Sequence, residues 1–549
     1  MSWKKISLSL AVIFLTTFIV CDGVSVQQEV TDHGDVILTT VKMEDPTIFY
    51  KNGDTVSDNV HTRWAKEALG VDIQTQWSAP SNDYNMKLKL LLSSDNPLPD
   101  VFSSNVMDTT NQFLTSGKVL DAGEAFDKYA SSTWKAAMAE VPEAWQPFTV
   151  KGKRMAIPII REEGLQPVLW IRKDWLNKLG LKAPKSLDEL EAVMNAFTFN
   201  DPDGNGLDDT YGIDFAIKDQ YIASPTGDIS WVFGAFGVIP EIWKKDNKGH
   251  LVYSSVQPEI KKALLKLRSW KNKGFMGEHV ALQDFNQVNE NVIAGKVGIV
   301  AGPSWFANYP VQQLKAKVPN AEFIPYPIPT GPDGITGRLK GNSYISSFFI
   351  SKDISKEALQ AFFKYQNFLY EATVTKDPFL LSDFQNGYDY VLKQDGSVYS
   401  ENSEIPGGKV STFKYTLFNH YASYPSRIKK SILKLGKGED LSSDEQAILF
   451  SMGIDPNNPD EYPVIEADVI AAVQDDIDQR NLFQGPATKT MQSRNSYLQK
   501  IELDTFNSII YNDQPIEAFD EFVKKWYESG GEQITKEVNQ WYKSIQPHE

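Results

Sequence analysis

The sequence predicts an α/β protein whose sheets are mainly parallel and flanked by helices. Two observations carry that expectation. Strand-like and helix-like periodicities alternate over residues 36–102, and the hydrophobic share, 41% of 549 residues, is ample for large cores. Length by itself suggests roughly two to four domains or lobes.

Val36-Ile-Leu-Thr-Thr-Val-Lys42 is rich in β-branched residues and reads as the first strand. From Ser57 to Gly70, the apolar Val60, Trp64 and Ala68 recur on one helical face, with Ser57 or Asp58 as cap and Gly70 as stop. Val71, Ile73, Thr75 and Trp77 then alternate as a second strand. A helix from Tyr84 to Leu92 leads into a third strand at Leu98-Pro-Asp-Val-Phe102. Farther on, Gln360 to Tyr370 reads as a helix, and Ile516, Phe519, Val523 and Trp526 form the packing face of a late one.

The net charge of -16 supplies no basic field for phosphates and argues against a nucleic-acid partner. At the N-terminus, Lys4 and Lys5 precede the uncharged stretch Ile6 to Val20, too short for a membrane span and suited to a secretory signal over residues 1–21. Cys21, the only cysteine, sits where that stretch ends, so no internal disulfide can form. Residues 22–34 are polar and read as a tether.

Asn200-Asp-Pro-Asp-Gly-Asn-Gly-Leu-Asp-Asp-Thr-Tyr-Gly212 is shaped for a hard cation. Asp201, Asp203 and Asn205 offer side-chain oxygens at alternate positions, Leu207 a carbonyl, and Asp209 and Thr210 close the set. The place of the usual twelfth-position Glu is taken by Gly212, so the loop is not an EF-hand; it looks like the shorter calcium loops, and the ion would be structural. The same residues also suit an Asx/Gly turn without metal.

Catalytic patterns are absent. Gly302-Pro-Ser-Trp-Phe306 lacks the second glycine of a nucleophile elbow, no His-Glu-x-x-His or phosphate loop occurs, and the six histidines lack metal-ligand spacing. Glu162 and Glu163 could serve a glycosidase, but neighbours on an extended segment point to opposite sides, and one of them binding sugar hydroxyls is the better expectation. The 13 Trp, 22 Tyr and 30 Phe suit stacking on sugar faces, although most must be core. Trp305 follows Gly302-Pro303 after a predicted strand and should project from the strand end. Ser103, Ser104 and Asn105 follow the third strand, where an α/β sheet carries its binding loops; a solvated turn is the alternative.

Several segments together carry a resemblance. Trp64-Ala-Lys-Glu-Ala-Leu-Gly-Val-Asp-Ile73, then Lys87-Leu-Lys-Leu-Leu-Leu-Ser-Ser-Asp-Asn-Pro-Leu-Pro-Asp-Val101, resemble the opening of extracellular solute-binding proteins of ABC importers, in their carbohydrate-binding branch. The run from Val168 through Trp170-Ile-Arg-Lys-Asp-Trp175 with the Asp201 loop, and Gly387 to Gly396, resemble the large Gram-positive oligosaccharide-binding lipoproteins. Ile293 to Trp305 resembles the strand and loop that bring an aromatic to the sugar in maltose-binding-type proteins.

The resemblance implies a two-lobed, type II periplasmic-binding-protein-like clamshell. Its N-lobe would comprise 35–158 and 326–375, and its C-lobe 159–325 and 376–549. Met155–Ile160 is the expected first crossing and Phe323–Pro332 the second. It further implies a monomeric substrate-binding lipoprotein, anchored through Cys21 to the outer face of a Gram-positive membrane, that passes an oligosaccharide to an ABC permease. Trp305 and Trp231 would meet the sugar, with interlobe or core packing as the alternative for both; Tyr388, Tyr309 and Asn342 are further candidates. Cys21 departs from the lipoprotein pattern, since Val20 stands where a small residue is usual. A secreted glycoside hydrolase or lyase, and a sugar-sensing surface protein, are the competing readings.

Overall fold

The computed structural model describes residues 35–546 apart from 46–47, 95, 162–165, 223–224, 373–385, 389, 393–397, 400–404, 409, 411, 421, 443–444, 447–448 and 450–461. Cys21, the tether and Glu162 therefore lie outside the described residues. Among those described, no helix is long and apolar enough to cross a membrane.

The N-lobe is built as the alternation predicts. Strand Val36–Glu44 pairs in parallel with Val71–Pro80, joined by helix Val60–Leu69. That helix is capped by Asn59 rather than Ser57 or Asp58. The Asn59 side chain accepts the His61 and Thr62 N–H groups, and the Thr62 side chain returns a bond to the cap backbone. Gly70 ends the helix at φ 64°, a left-handed conformation in which a Cβ would be strained. A second sheet follows in the order Val101–Ser104, Tyr344–Ile350, Ile157–Ile160, its middle strand antiparallel to both neighbours. Asp100 joins the sheets, its carboxylate accepting from Thr39 N–H at 2.8 Å and Thr39 Oγ1 at 2.7 Å.

The C-lobe sheet runs Phe323–Tyr326, Val168–Arg172, Val297–Gly302, Tyr211–Asp214. Strands Val168–Arg172 and Val297–Gly302 are buried at every position, as expected for a sheet covered on both faces. One face packs against helices Leu187–Phe199, Ile260–Asn272, Lys489–Ile510 and Ala518–Trp526; Phe519 and Trp526 are indeed core. The other face packs against helices Pro425–Gly436 and Tyr462–Val473.

The lobe boundaries differ from expectation in two places. Residues 157–160 and 323–326 are sheet strands, so the crossings are the segments that follow, 161–167 and 327–343. The chain after 376 does not return at once to the C-lobe. Tyr388, Val410 and Tyr415 bury Val60 of the N-lobe helix, and Leu417 and Ala422 enter the N-lobe core. Two lysines fix this strap: Lys42 Nζ donates to the Thr416 carbonyl (3.1 Å), and Lys51 Nζ to those of Gly387 (2.9 Å) and Pro406 (3.1 Å). A strap rich in Tyr and Phe covers an apolar helix face that the short N-lobe leaves open. The return comes at helix Pro425–Gly436, where Ile428 and Ile432 join the C-lobe core.

A candidate binding cleft between the lobes

Strand register fixes which sheet edges face each other. In the N-lobe, Ser347 pairs with Ser104 and Tyr344 with Ile160, so the ends of two strands and the start of the third share one edge. In the C-lobe, Gly302 pairs with Val168 and Tyr326 with Leu169, which likewise collects three strand ends on one edge. The first two crossings run between those two edges, and a third passage leads from Ala422 of the strap into helix Pro425–Gly436. The first, 161–167, can span at most about 25 Å. The loops after Ser104 and after Gly302 therefore open into the same interlobe space, outside the carboxyl ends of strands where α/β sheets bind ligands.

On the N-lobe side, Ser104 is buried and its side chain is committed locally: Thr110 Oγ1 donates to its Oγ at 3.0 Å, and Ser346 Oγ donates to its carbonyl at 2.9 Å. Asn105 is exposed, followed by Val106 at 38% and Met107 at 39% exposure, while Ile345 across the sheet edge is 48% exposed. These neighbouring apolar groups offer contact area beside the Asn105 amide.

On the C-lobe side, the 3-10 turn Ser304–Ala307 follows the strand Val297–Gly302. The turn separates two aromatics. Phe306 is fully buried with its ring 5.3 Å from that of Trp170, whereas Trp305 is half-buried. Trp170 Nε1 donates to the carbonyls of Gly302 and Pro303, both at 3.2 Å, and so locks the strand end from which Trp305 projects. Tyr309, one turn on, is 42% exposed.

Trp231 lies elsewhere. It is fully buried, its indole N–H bonds the Asp228 carbonyl at 3.0 Å, and its neighbours are Trp270 and Phe215; this is the packing position. Tyr388 packs in the strap on the N-lobe against Val60, with its hydroxyl bonded to Asp54 at 3.1 Å.

A set that pattern reading missed stands beside Trp305. The Gly227 and Asp228 N–H groups both bond the Ala301 carbonyl, which pins that loop to the same strand end. Asp228 accepts from Ser230 Oγ (2.6 Å), and Ser230 Oγ accepts from Leu339 N–H (3.0 Å), linking the cleft loop to the second crossing. Burial pushes the Asp228 carboxyl up to about 6. Arg338, fully buried, bonds Asp478 (2.6 Å) and the Ala471 carbonyl (2.8 Å), and Gly234 approaches Gly337 so closely that a Cβ would meet the Gly337 carbonyl oxygen at 2.0 Å. No local motif signals these residues; only the fold brings 228, 338 and 478 together.

The Asp201 loop is folded around its own acidic groups. Asp201 accepts from Gly204 N–H (2.9 Å) and Gly206 N–H (3.2 Å). The Asn205 amide nitrogen sits between Asp203 (2.9 Å) and Asp209 (3.1 Å), occupying the point on which the two carboxylates converge. Desolvation, together with the charges of Asp209 and Asp201, pushes the Asp203 carboxyl above its ordinary value. Leu207 is exposed, and Thr210 is buried with its hydroxyl donating to the Phe197 carbonyl at 2.9 Å. Among the described residues no three carboxylate, imidazole or thiol groups assemble into a formed metal site.

The chain is 23% identical to lipoprotein LipO of Bacillus subtilis over 493 residues, covering 86% of this chain and 87% of that one. It is 25% identical over 402 residues to the polygalacturonan/rhamnogalacturonan-binding protein YtcQ of the same organism, covering 72% and 71%. In fold it is similar to the Streptococcus pneumoniae ABC-transporter substrate-binding protein FusA, solved as an EF-hand mutant in complex with fructo-nystose, with TM-score 0.60, 18% identity and coverage of 93% and 99%. The family model for bacterial extracellular solute-binding proteins matches residues 50–370, more than half of the chain and both edges of the cleft, and the chain belongs to that family.

Proposed function

We propose that this protein captures an extracellular oligosaccharide between its lobes and delivers it to the permease of an ABC importer. One observation carries the reading: the first and second crossings join the two sheet edges from which the Asn105 loop and the half-buried Trp305 project. A half-buried indole on one edge, with an exposed amide and apolar groups on the other, suits a sugar ring, whose C–H face stacks while its hydroxyls bond. Closure then follows from contacts with both lobes, since ligand shifts the equilibrium only by its differential affinity for the closed form. YtcQ and FusA bear sugar-binding names, in keeping with this reading.

Two features complete it. Cys21 carries the lipid that holds a monomeric protein on the outer face of the membrane, through the tether 22–34; a Cys21→Ser variant is expected to leave the membrane fraction, and its retention there would refute the anchor. In the Asp201 loop, Asp201, Asp203, Asn205 and Asp209 would hold a calcium ion. The fit rests on carboxylates that converge on one point now filled by an amide nitrogen, which a hard cation would replace with oxygen ligation.

The deciding experiment is a calorimetric and thermal-shift screen against plant and microbial oligosaccharides. Saturable binding without turnover is expected. Turnover with a carboxylate-dependent pH profile would instead establish a polysaccharide-degrading enzyme.

A further inference from the structure

A second polar space opens where the lobes join. It has a volume of about 360 Å³, within the range of small-ligand sites. Gln146 and Tyr344 line it from the N-lobe, Asn342 from the second crossing, and Asn481, Gln484 and Tyr542 from the returning C-terminal chain. Three of these six lie beyond residue 370, outside the part of the chain that matches the family model, so the wall is shared between the family-matched region and the C-terminal chain.

The chemistry of the wall selects its occupant. The Asn481 amide oxygen is held by the Trp243 and Phe483 N–H groups, and the Gln484 amide nitrogen donates to the Asn481 carbonyl, whereas the Gln146 and Asn342 amides offer both donors and acceptors suited to hydroxyl groups. The charged groups at the wall are already matched: Arg480 forms an ion pair with Glu143, and Lys340 faces Asp478 at 4.0 Å. An anionic sugar would have to displace one of those carboxylates. Tyr344 and Tyr542, both half-buried, supply aromatic edges or faces beside the amides. The cavity is also continuous in the fold with the cleft edge: Tyr344 lies three residues before Ser347, the partner of Ser104, so about 10 Å of strand separates the two places.

We propose that this cavity seats one end of the captured oligosaccharide, and that the end it accepts is an uncharged saccharide unit. The inference rests on the oligosaccharide-binding function proposed above. Asn342 is the informative position, because it is exposed on the connecting segment and carries no sheet or core packing.

The test compares wild type, Asn342→Ala and Asn342→Trp by calorimetry against length series of neutral and uronate oligosaccharides, with melting temperature as the fold control. Asn342→Ala is expected to weaken the best neutral ligand about ten-fold, as the loss of one or two hydrogen bonds would. Asn342→Trp should fill the space and shift preference toward shorter chains. Unchanged affinity and length preference in both variants, with wild type binding sugar, would overturn the cavity assignment and leave the function standing. Preference of wild type for uronates over neutral chains would overturn the ligand class. A wild type that binds no saccharide would remove the function and this inference together.

Discussion

Arg480 and Glu143 form an ion pair that joins the returning C-terminal chain to the N-lobe, and Ser343 of the second crossing bonds to both. The Arg161 N–H in turn bonds the Ser343 carbonyl at 3.1 Å, so this small cluster ties the first and second crossings to the returning chain. Each side chain of the pair is 30% exposed, and solvent screening limits its worth to about 1 kcal/mol or less. Burial alone would raise the Glu143 carboxyl, but the bonds from Ser343 and Arg480 outweigh it and hold the group below its ordinary value. A depressed carboxyl contributes stability above the unfolded value of about 4.3 and loses it as pH falls through the folded value. Arg480→Met should therefore lower stability at pH 7 by about 1 kcal/mol or less, with the difference from wild type vanishing in acid; a difference independent of pH would disprove the electrostatic account.

Trp305→Ala should weaken oligosaccharide binding by at least about ten-fold while leaving the melting temperature nearly unchanged. The indole is half-buried, whereas its neighbour Phe306 carries the core contact, so stacking and packing are divided between the two residues. Calorimetry on the purified variant checks this, and equal affinity would exclude Trp305 from the site. Trp231→Ala should behave in the opposite way, with a loss of about 3–5 kcal/mol of stability from the cavity it leaves.

Where local chemistry decided the outcome, the sequence was legible. Gly70 stops a helix because only its φ of 64° is needed there, and Val71 and Ile73 alternate because one face of their strand is buried. The position of Trp305 was readable for the same reason, since a strand ending in Gly302-Pro303 must release the next residues into a turn. Trp231 was not readable, because a helix start looks the same whether its aromatic meets ligand or Trp270. The strap from Tyr388 to Ala422 was invisible for a related reason: its apolar residues could cover either lobe, and only the open face around Val60 and the reach of Lys42 and Lys51 select the N-lobe. Asp228, Ser230 and Arg338 depend on contacts across more than a hundred residues, which no local pattern encodes.

Chelation should lower the melting temperature, and calcium should restore it, the stabilisation growing with the logarithm of one plus the ratio of its concentration to Kd. Asp203→Asn is expected to weaken that response, because it removes one of the two carboxylates that converge beside Asn205. The folded loop without metal already spends its carboxylates on backbone N–H groups, so the variant should remain folded. A melting curve insensitive to both chelator and calcium would assign the loop to a simple Asx turn.

Glu502 is buried in the C-lobe core, close enough to Glu241 for the two carboxyls to interact. Its Oε2 accepts from the Tyr253 hydroxyl at 3.0 Å, and Glu241 Oε1 accepts from Tyr221 N–H at 2.7 Å. Desolvation, and then the neighbouring Glu241 charge, raise Glu502 to about 8, and desolvation raises Glu241 to about 7. Both groups hold protons in the folded chain that the unfolded chain releases near pH 4.3, so the folded state binds more protons across that interval. Stability must then fall as pH rises from about 4.3 toward 8, and level off above it. Glu502→Gln keeps the shape and a donor while removing the proton, so it should flatten that slope and stabilise the protein at pH 8 by an amount on the order of a few kcal/mol. Denaturant titrations of both proteins from pH 5 to 8.5 check this, and parallel pH profiles would mean that the carboxyl is ionised in the fold and paired in some other way.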